Sequence, residues 1–305
     1  MPTLYLHTGL HKTGTTSLQK AFFDNRAGLA RQGLLYPETG LSPHPSNWGH
    51  HELAYALRQP GPGEALWQAL REEADAAGLD RVLVSSEALS HLPYPGLPAS
   101  RPYKLIARIF AGYDIRLVVY LRPQADMIAA LYRHHVKALG ERRDPFDFIA
   151  QVAPRLEYQH YLNTAAAGLG PEAILPRRYQ PGALVDRDII ADMATVTGID
   201  LTREFRRPGT PLNRGLSADG LAAMLDANRR LADAPEQLHR ERMRIIKAHP
   251  APAFQKHDLL GADVERTIEA LYRQKNARIA RRFLGIDGDL FLPADTAVPT
   301  ASETR

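Results

Sequence analysis

Residues Leu4 to Phe22, LYLHTGLHKTGTTSLQKAF, decide how the rest of this 305-residue chain is read. Leu4, Tyr5 and Leu6 form a short apolar run suited to a buried strand. A turn of small and polar residues follows from His7 to Thr13, with glycines at Gly9 and Gly14. Thr15, Thr16 and Ser17 then open an amphipathic helix carried by Leu18, Ala21 and Phe22. This succession is the layout of an anion cradle, because the free N–H groups and positive dipole end of a helix face a bound anion. Lys12 lies inside the turn, within reach of the same anion. The stretch predicts a phosphate or sulfate site; the plainer alternative is a Gly-Thr turn that only caps a helix.

Outward from this stretch, apolar runs and helical patterns alternate. The first helix is predicted over 15–32, and Gly33 to Pro37 reads as a turn into a short extended piece. Arg81 to Ser86 (RVLVSS), Ile115 to Leu121 (IRLVVYL) and Ala173 to Tyr179 (AILPRRY) are strand candidates, the last held to a strand end or an edge by Pro176. Helices are predicted over about 64–77, 103–112, 187–197, 235–248 and 262–284, another from Pro123 onward, and one from Ser217 to about 232. Residues 145–168 read as helical with a break at Pro154. The pattern predicts an α/β fold, three layers with a mostly parallel central sheet, in a single domain over 1–292. Residues 293–305 carry no apolar pattern and are expected to be a disordered tail.

Composition narrows the function. With 44% apolar and 24% charged residues the chain has the make-up of an ordinary soluble protein. No apolar run reaches the roughly 18 residues of a membrane span, so stable membrane insertion is not expected. The N-terminus enters the first strand at once, which leaves no room for a signal peptide, and a cytoplasmic location is the expectation. Zero cysteines exclude disulfides, thiolate metal sites and a cysteine nucleophile. A net charge of +4 suits an anionic ligand, but the basic residues are scattered, unlike those of a nucleic-acid binder. His134 and His135 make no metal pair, because adjacent helical residues diverge by about 100°, and no metal is expected.

A nucleotide triphosphatase loop needs Gly, four residues, then Gly-Lys-Ser/Thr. Gly9 and Gly14 have that separation, but Thr15 stands where the lysine belongs, and the second long strand ends in Ser-Ser-Glu without a magnesium-binding Asp. A kinase or ATPase is disfavoured. Lysine inside the turn, followed by Thr-Gly-Thr-Thr-Ser, resembles instead the phosphosulfate loop of sulfotransferases that use 3′-phosphoadenosine 5′-phosphosulfate (PAPS), closest to bacterial carbohydrate-type members. The resemblance implies a P-loop-like fold, with His11, Lys12, Thr13, Gly14, Thr15, Thr16 and Ser17 around the 5′-phosphosulfate. It gives Lys12 the role of stabilising charge on the departing phosphate oxygen.

The family's second signature is a strand, an Arg, a Ser about eight residues on and a Tyr two further. Arg122 and Tyr132 fall on it within Val118 to Val136, while Ala130 stands at the Ser position and removes a hydroxyl donor to the 3′-phosphate. The Arg fork, the stronger contact, remains. The other reading of Arg122 is a surface charge at a helix start. Arg177 and Tyr179, Asn213 to Ser217, and Ala277 to Phe291 echo the family more weakly. Arg206, Arg207 and Arg214 read equally as 3′-phosphate contacts or as solvated loop charges.

The acceptor needs a general base. Glu87, at the end of the second long strand, is the first candidate, and His50 and His51 in a polar loop are the second; His7 and His11 flank the lysine. Each has a capping or loop-bonding alternative. The expected function is sulfuryl transfer from PAPS, leaving 3′,5′-adenosine bisphosphate (PAP), to a hydroxyl or amine on a small-molecule or glycan acceptor. Loops 38–63 and 89–102 would form the acceptor surface. Alternatives are a nucleotide-dependent kinase with an atypical loop and a non-catalytic PAPS- or PAP-binding protein. Neither the acceptor nor the oligomeric state can be read from the sequence.

Overall fold

The computed structural model describes residues 1–44, 47–59, 61–91, 100–207, 215–251 and 259–293. Five strands form one parallel sheet: β1 (Thr3–His7), β2 (Leu34–Leu35), β3 (Arg81–Ser85), β4 (Asp114–Leu121) and β5 (Ile174–Arg178), in the order β2-β3-β1-β4-β5. The described helices are α1 (Thr15–Asp24), α2 (Arg26–Arg31), α3 (His51–Ala56), α4 (Pro62–Ala77), α5 (Arg101–Ile109), α6 (Gln124–His134), α7 (Pro145–Val152), α8 (Tyr158–Leu169), α9 (Ile189–Thr197), α10 (Ala218–Arg230), α11 (Pro235–Ala248) and α12 (Ala262–Ile279). The α/β class and the mostly parallel sheet are as the sequence predicts. Contacts group the chain into two compact units, Met1–Arg122 with Tyr158–Gly209 and Arg273–Arg305, and Pro123–Glu157 with Thr210–Tyr272.

The sheet belongs to the first unit. Side chains alternate across it, and parallel rungs put Leu4, Val82 and Ile115 in one row and Leu6, Val84 and Leu117 in the next. Leu83, Val118 and Tyr120 face the other way, into a core with Leu18 and Phe22 of α1 and Ile189, Ile190 and Met193 of α9. Both faces are covered, which is why β3 and β4 are continuous apolar runs and not alternating ones. β1 lies where the strand order reverses, with β3 on one side and β4 on the other, and ligands of open α/β sheets enter at the carboxyl edge of such a point. Pro176 sits in the edge strand β5, as its missing N–H requires.

The predicted first helix is two. Asn25 breaks it at φ −107°, ψ 13°, its amide nitrogen donating to Ala21 O at 2.7 Å and Arg206 O at 2.8 Å while its Oδ1 accepts from Arg206 N at 2.7 Å. A side-chain amide competing for backbone groups ends the helix. α9 starts on Asp188, whose carboxylate accepts from Ile190 N at 2.8 Å, and ends at left-handed Gly198.

In the second unit, α6 passes through a π-turn over His135–Leu139 into left-handed Gly140. Asn228 of α10 donates to Val136 O and Glu141 O. The Arg143 guanidinium and two backbone N–H groups hold the Glu141 carboxyl down at about 2. Tyr132 packs edge-on to Phe148 and donates to Arg143 O at 2.9 Å, and Ala130 is buried.

Asp192 of α9 is fully buried beneath β5 and accepts from Tyr120 Oη at 3.0 Å and from Arg177, which binds both carboxylate oxygens. Removing one partner of a buried ion pair strands the other. Arg177→Leu would strand a carboxylate that is 0% exposed, whereas Arg177 itself is 34% exposed and can turn to water. Urea unfolding is expected to show a loss of about 3 kcal/mol for Arg177→Leu and about 1–2 kcal/mol for Asp192→Asn, which keeps an acceptor; the opposite order would mean that the carboxylate is not the group at risk.

Candidate functional site

Pairing between β1 and β4 continues past His7. Thr8 N donates to Val118 O at 3.0 Å, Tyr120 N to Gly9 O at 2.6 Å and Leu10 N to Tyr120 O at 3.3 Å. The chain then turns through His11 to Gly14 and enters α1. Lys12 takes φ 63°, in the left-handed region that costs a non-glycine residue about 1–3 kcal/mol. Gly9 and Gly14, at φ 87° and 79°, are needed twice over. A Cβ on Gly9 would lie 2.8 Å from Glu87 Cβ, and one on Gly14 would lie 3.1 Å from Tyr179 Oη and 3.2 Å from an Ile189 methyl.

Thr13 is buried, and its hydroxyl donates to Leu10 O at 2.7 Å, closing the turn on itself. The Thr13 hydroxyl proton is thus spent inside the turn and not on an anion. Ser17 N and Leu18 N already return to Gly14 O. The N–H groups of Gly14, Thr15 and Thr16 donate to no described residue, so three donors of the helix start are left for a ligand. Such a row fits the oxygens of a phosphate or sulfate. The His11 ring stacks on His91, centroids 4.7 Å apart and planes at 25°.

Arg122 follows β4 directly. Its Nη1 donates to Lys12 O at 3.1 Å, its own carbonyl accepts from Tyr158 Oη at 2.9 Å, and its guanidinium lies 5.8 Å from the Tyr179 ring centroid. It is therefore no detached surface charge but a neighbour of the loop. Burial pushes the Tyr179 phenol up, against the opposing pull of Arg122. Among the other arginines, Arg177 is bound to Asp192, Arg206 meets Asn25 through its backbone, and Arg207 pairs with Asp188 at the start of α9. Arg214 lies outside the described residues.

The base candidates separate sharply. Glu87 begins a short 3₁₀ turn after β3 and stands against Gly9; its Oε2 accepts from Gln19 Nε2 at 2.9 Å. His51 Nε2 lies 4.0 Å from the same oxygen, and His51 Nδ1 is 2.8 Å from Ser86 Oγ. Gly49 fits between them: a Cβ there would be 2.8 Å from both the Gln19 and the His51 nitrogen. Glu87 and His51, proposed separately from the sequence, thus share one corner of the loop.

His50 does not join them. It is wholly buried against Tyr36, accepts from Ser85 N on Nδ1 at 3.1 Å and donates from Nε2 to Pro37 O at 3.0 Å. Both nitrogens are committed to backbone, and burial pushes its pKa down to about 4. The expectation that His50 acts as a base is corrected: it ties the 37–51 loop to β3. His7 is likewise fully buried, with Nδ1 2.8 Å from Ser85 Oγ and a pKa lowered to about 4 by burial.

Sequence reasoning missed Gln19, Tyr158 and Tyr161. Gln19 lies one helical turn after Thr15, so its side chain shares the face that opens on the loop. Tyr161 Oη donates to Thr8 Oγ1 at 2.8 Å, and burial raises this phenol to about 12. Nothing near Tyr158 or Tyr161 in the sequence marks them.

No protein-family model matches the chain, and no curated protein matches it. Among solved structures, the crystal structure of a sulfotransferase from Alicyclobacillus acidocaldarius is similar at 17% identity, over 78% of this chain and 96% of that one, with a TM-score of 0.38.

His7 and His50 give stability a defined pH dependence. Both bind protons more readily unfolded, near pH 6.5, than folded, near 4. Their contribution is therefore complete above pH 6.5 and is lost as pH falls towards 4. Urea midpoints measured from pH 7.5 to 5, where ordinary carboxylates stay ionised, are expected to fall by the equivalent of about 2 kcal/mol per histidine. A midpoint that stays level over this range would show that the rings are not held neutral.

Proposed function

We propose that this protein moves the sulfuryl group of PAPS to a hydroxyl or amine of an acceptor, a carbohydrate or glycoconjugate, by in-line displacement. The observation that carries the reading is the Arg122 guanidinium bonded to Lys12 O, which brings a second cation to a loop whose helix start has three N–H groups without a described partner. A cradle with two cationic neighbours suits a ligand bearing two separate anionic groups better than a single phosphate. In this reading Thr13 to Ser17 hold the 5′-phosphosulfate and Arg122 meets the 3′-phosphate. Lys12 offsets the charge that develops on the departing phosphate oxygen as the S–O bond breaks, a role worth most when the donor is fixed beforehand.

Glu87 takes the proton from the acceptor as the acceptor's oxygen or nitrogen bonds to sulfur. Gln19 donates to Oε2 of this carboxylate and so fixes its direction. His51, braced by Ser86, stands beside the same oxygen and can carry the proton onward to solvent. The cytosol, where PAPS is a soluble donor, is the compartment this reading favours.

Calorimetry with 3′,5′-adenosine bisphosphate against ATP plus Mg²⁺ tests the donor; the bisphosphate is expected to bind tighter, and preference for ATP would sink the assignment. Arg122→Ala is expected to weaken bisphosphate binding about 10- to 100-fold, the range of a charge-assisted hydrogen-bond pair. Lys12→Ala should keep most of that affinity and lower kcat by about 10²- to 10³-fold. Glu87→Gln should lower kcat by about 10²-fold or more with little change in donor binding.

A further inference from the structure

A wholly buried histidine stands at the root of the site. His7 closes β1 directly before the Lys12 loop and is 0% exposed. Its Nδ1 lies 2.8 Å from Ser85 Oγ, while its Nε2, also buried, has no hydrogen-bond partner among the described residues. The Ser85 hydroxyl is also bonded to the phenol of Tyr36, whose own proton goes to Trp48 O at 2.7 Å. That far end fixes the direction of the chain. A carbonyl only accepts, so Tyr36 donates to Trp48 and accepts from Ser85. The one proton of Ser85 is thereby committed, Ser85 Oγ accepts from His7, and the His7 ring carries its proton on Nδ1. Burial holds this ring neutral, with a pKa down at about 4, so Nε2 is a bare acceptor. The backbone of His7 gives a second hold: its carbonyl accepts from Ser86 N at 2.9 Å, and Ser86 Oγ lies 2.8 Å from His51 Nδ1. His7 thus reaches the 37–51 loop at two points, Trp48 and His51, on either side of Gly49. Glu87 follows the two serines in sequence, and its carboxylate acts on the charge of both His7 and Tyr36.

We propose that His7 is a positioning residue for the Glu87 corner. Its Nδ1–H starts a one-way chain through Ser85 and Tyr36 to Trp48 O, which seats the 37–51 loop, and with it His51, against Glu87. The bearing of this chain on turnover rests on the sulfuryl-transfer reading; the chain itself does not. In that reading His7 touches neither the donor nor the acceptor. A buried polar chain specifies one arrangement because each member leaves its neighbour a single role, donor on one side and acceptor on the other. With the ring proton on Nε2, Ser85 would have to turn its own proton back to His7, and the bond that holds Tyr36 would be lost.

The test begins with nitrogen NMR of the histidine rings of the full chain at neutral pH. His7 is expected to be neutral with its proton on Nδ1, the signal being assigned by its absence in His7→Asn; a proton on Nε2 would overturn the proposal. The variants divide by which ring nitrogen they imitate. His7→Asn presents a side-chain N–H close to the place of Nδ1, His7→Gln one close to the place of Nε2, and Tyr36→Phe cuts the chain further on. The His51 ring reports the corner without any turnover. Its resonances are expected to shift in His7→Gln and Tyr36→Phe and to keep their place in His7→Asn. Transfer of the PAPS sulfuryl group to water breaks the same S–O bond and needs no known acceptor. Its rate should fall about tenfold or more in His7→Gln and Tyr36→Phe and stay within about threefold of the parent in His7→Asn. Affinity for 3′,5′-adenosine bisphosphate should stay within about threefold in all three, since His7 acts on the Glu87 corner and not on the donor. His51 resonances unmoved in His7→Gln and Tyr36→Phe, or moved alike in all three, would refute the positioning role. A parent that binds no bisphosphate refutes the donor assignment alone, since the tautomer and the His51 signals still decide the proposal.

Discussion

The parallel register between β1 and β4 is the constraint on which the site depends. His7 lies beside Val118, and the bonds of Thr8, Gly9 and Leu10 to Val118 and Tyr120 carry that register beyond the strand. Arg122 is only two residues after Tyr120, so a guanidinium from the far half of the sheet arrives at Lys12 O with no loop to search through. A slip of one residue would turn Val118 and Tyr120 to the opposite face and take Arg122 away from the turn. It would also pull the Tyr120 hydroxyl off Asp192, so the same register that aligns the loop is locked by a buried carboxylate 72 positions on. Core and site are held by one alignment.

Much of this architecture is legible in the sequence, because parallel strands covered on both faces must be written as apolar runs. RVLVS and IRLVVYL are visible for that reason, and Pro176 marks β5 as an edge before any sheet is known. What escapes reading is what depends on distant partners. The break at Asn25 depends on Arg206, and the role of Arg177 depends on Asp192. β2 is too short at two residues to give a pattern. The division into two units is hidden because each is assembled from separate stretches of chain.

The candidate site divides in the same way. Lys12, Gly14 and the hydroxyls that open α1 announce themselves by local order, and Arg122 by its place after the strongest strand. His50 and His51 are indistinguishable on paper, yet one is fixed between Pro37 and Ser85 and the other stands at Glu87. Neighbouring residues at a helix start point to different sides, and only the packing of the 37–51 loop on β3 decides which faces inward. Gln19 was overlooked because a helical amide has no chemistry until a carboxylate is beside it.

The two borders of the sheet have a consequence for the company this protein keeps. Tyr179 N turns inward to Leu121 O, so along β5 the odd-numbered residues face β4 and the even-numbered ones face out. Pro176, in the middle of the outward set, therefore deletes a donor at the point where a foreign strand would have to dock. On the opposite border β2 offers two residues, fewer than a stable added strand would grip. A sheet finished in this way at both margins resists growing by the capture of another chain, and it can keep long apolar strands such as β4 at its centre without turning them into a nucleus for fibrils.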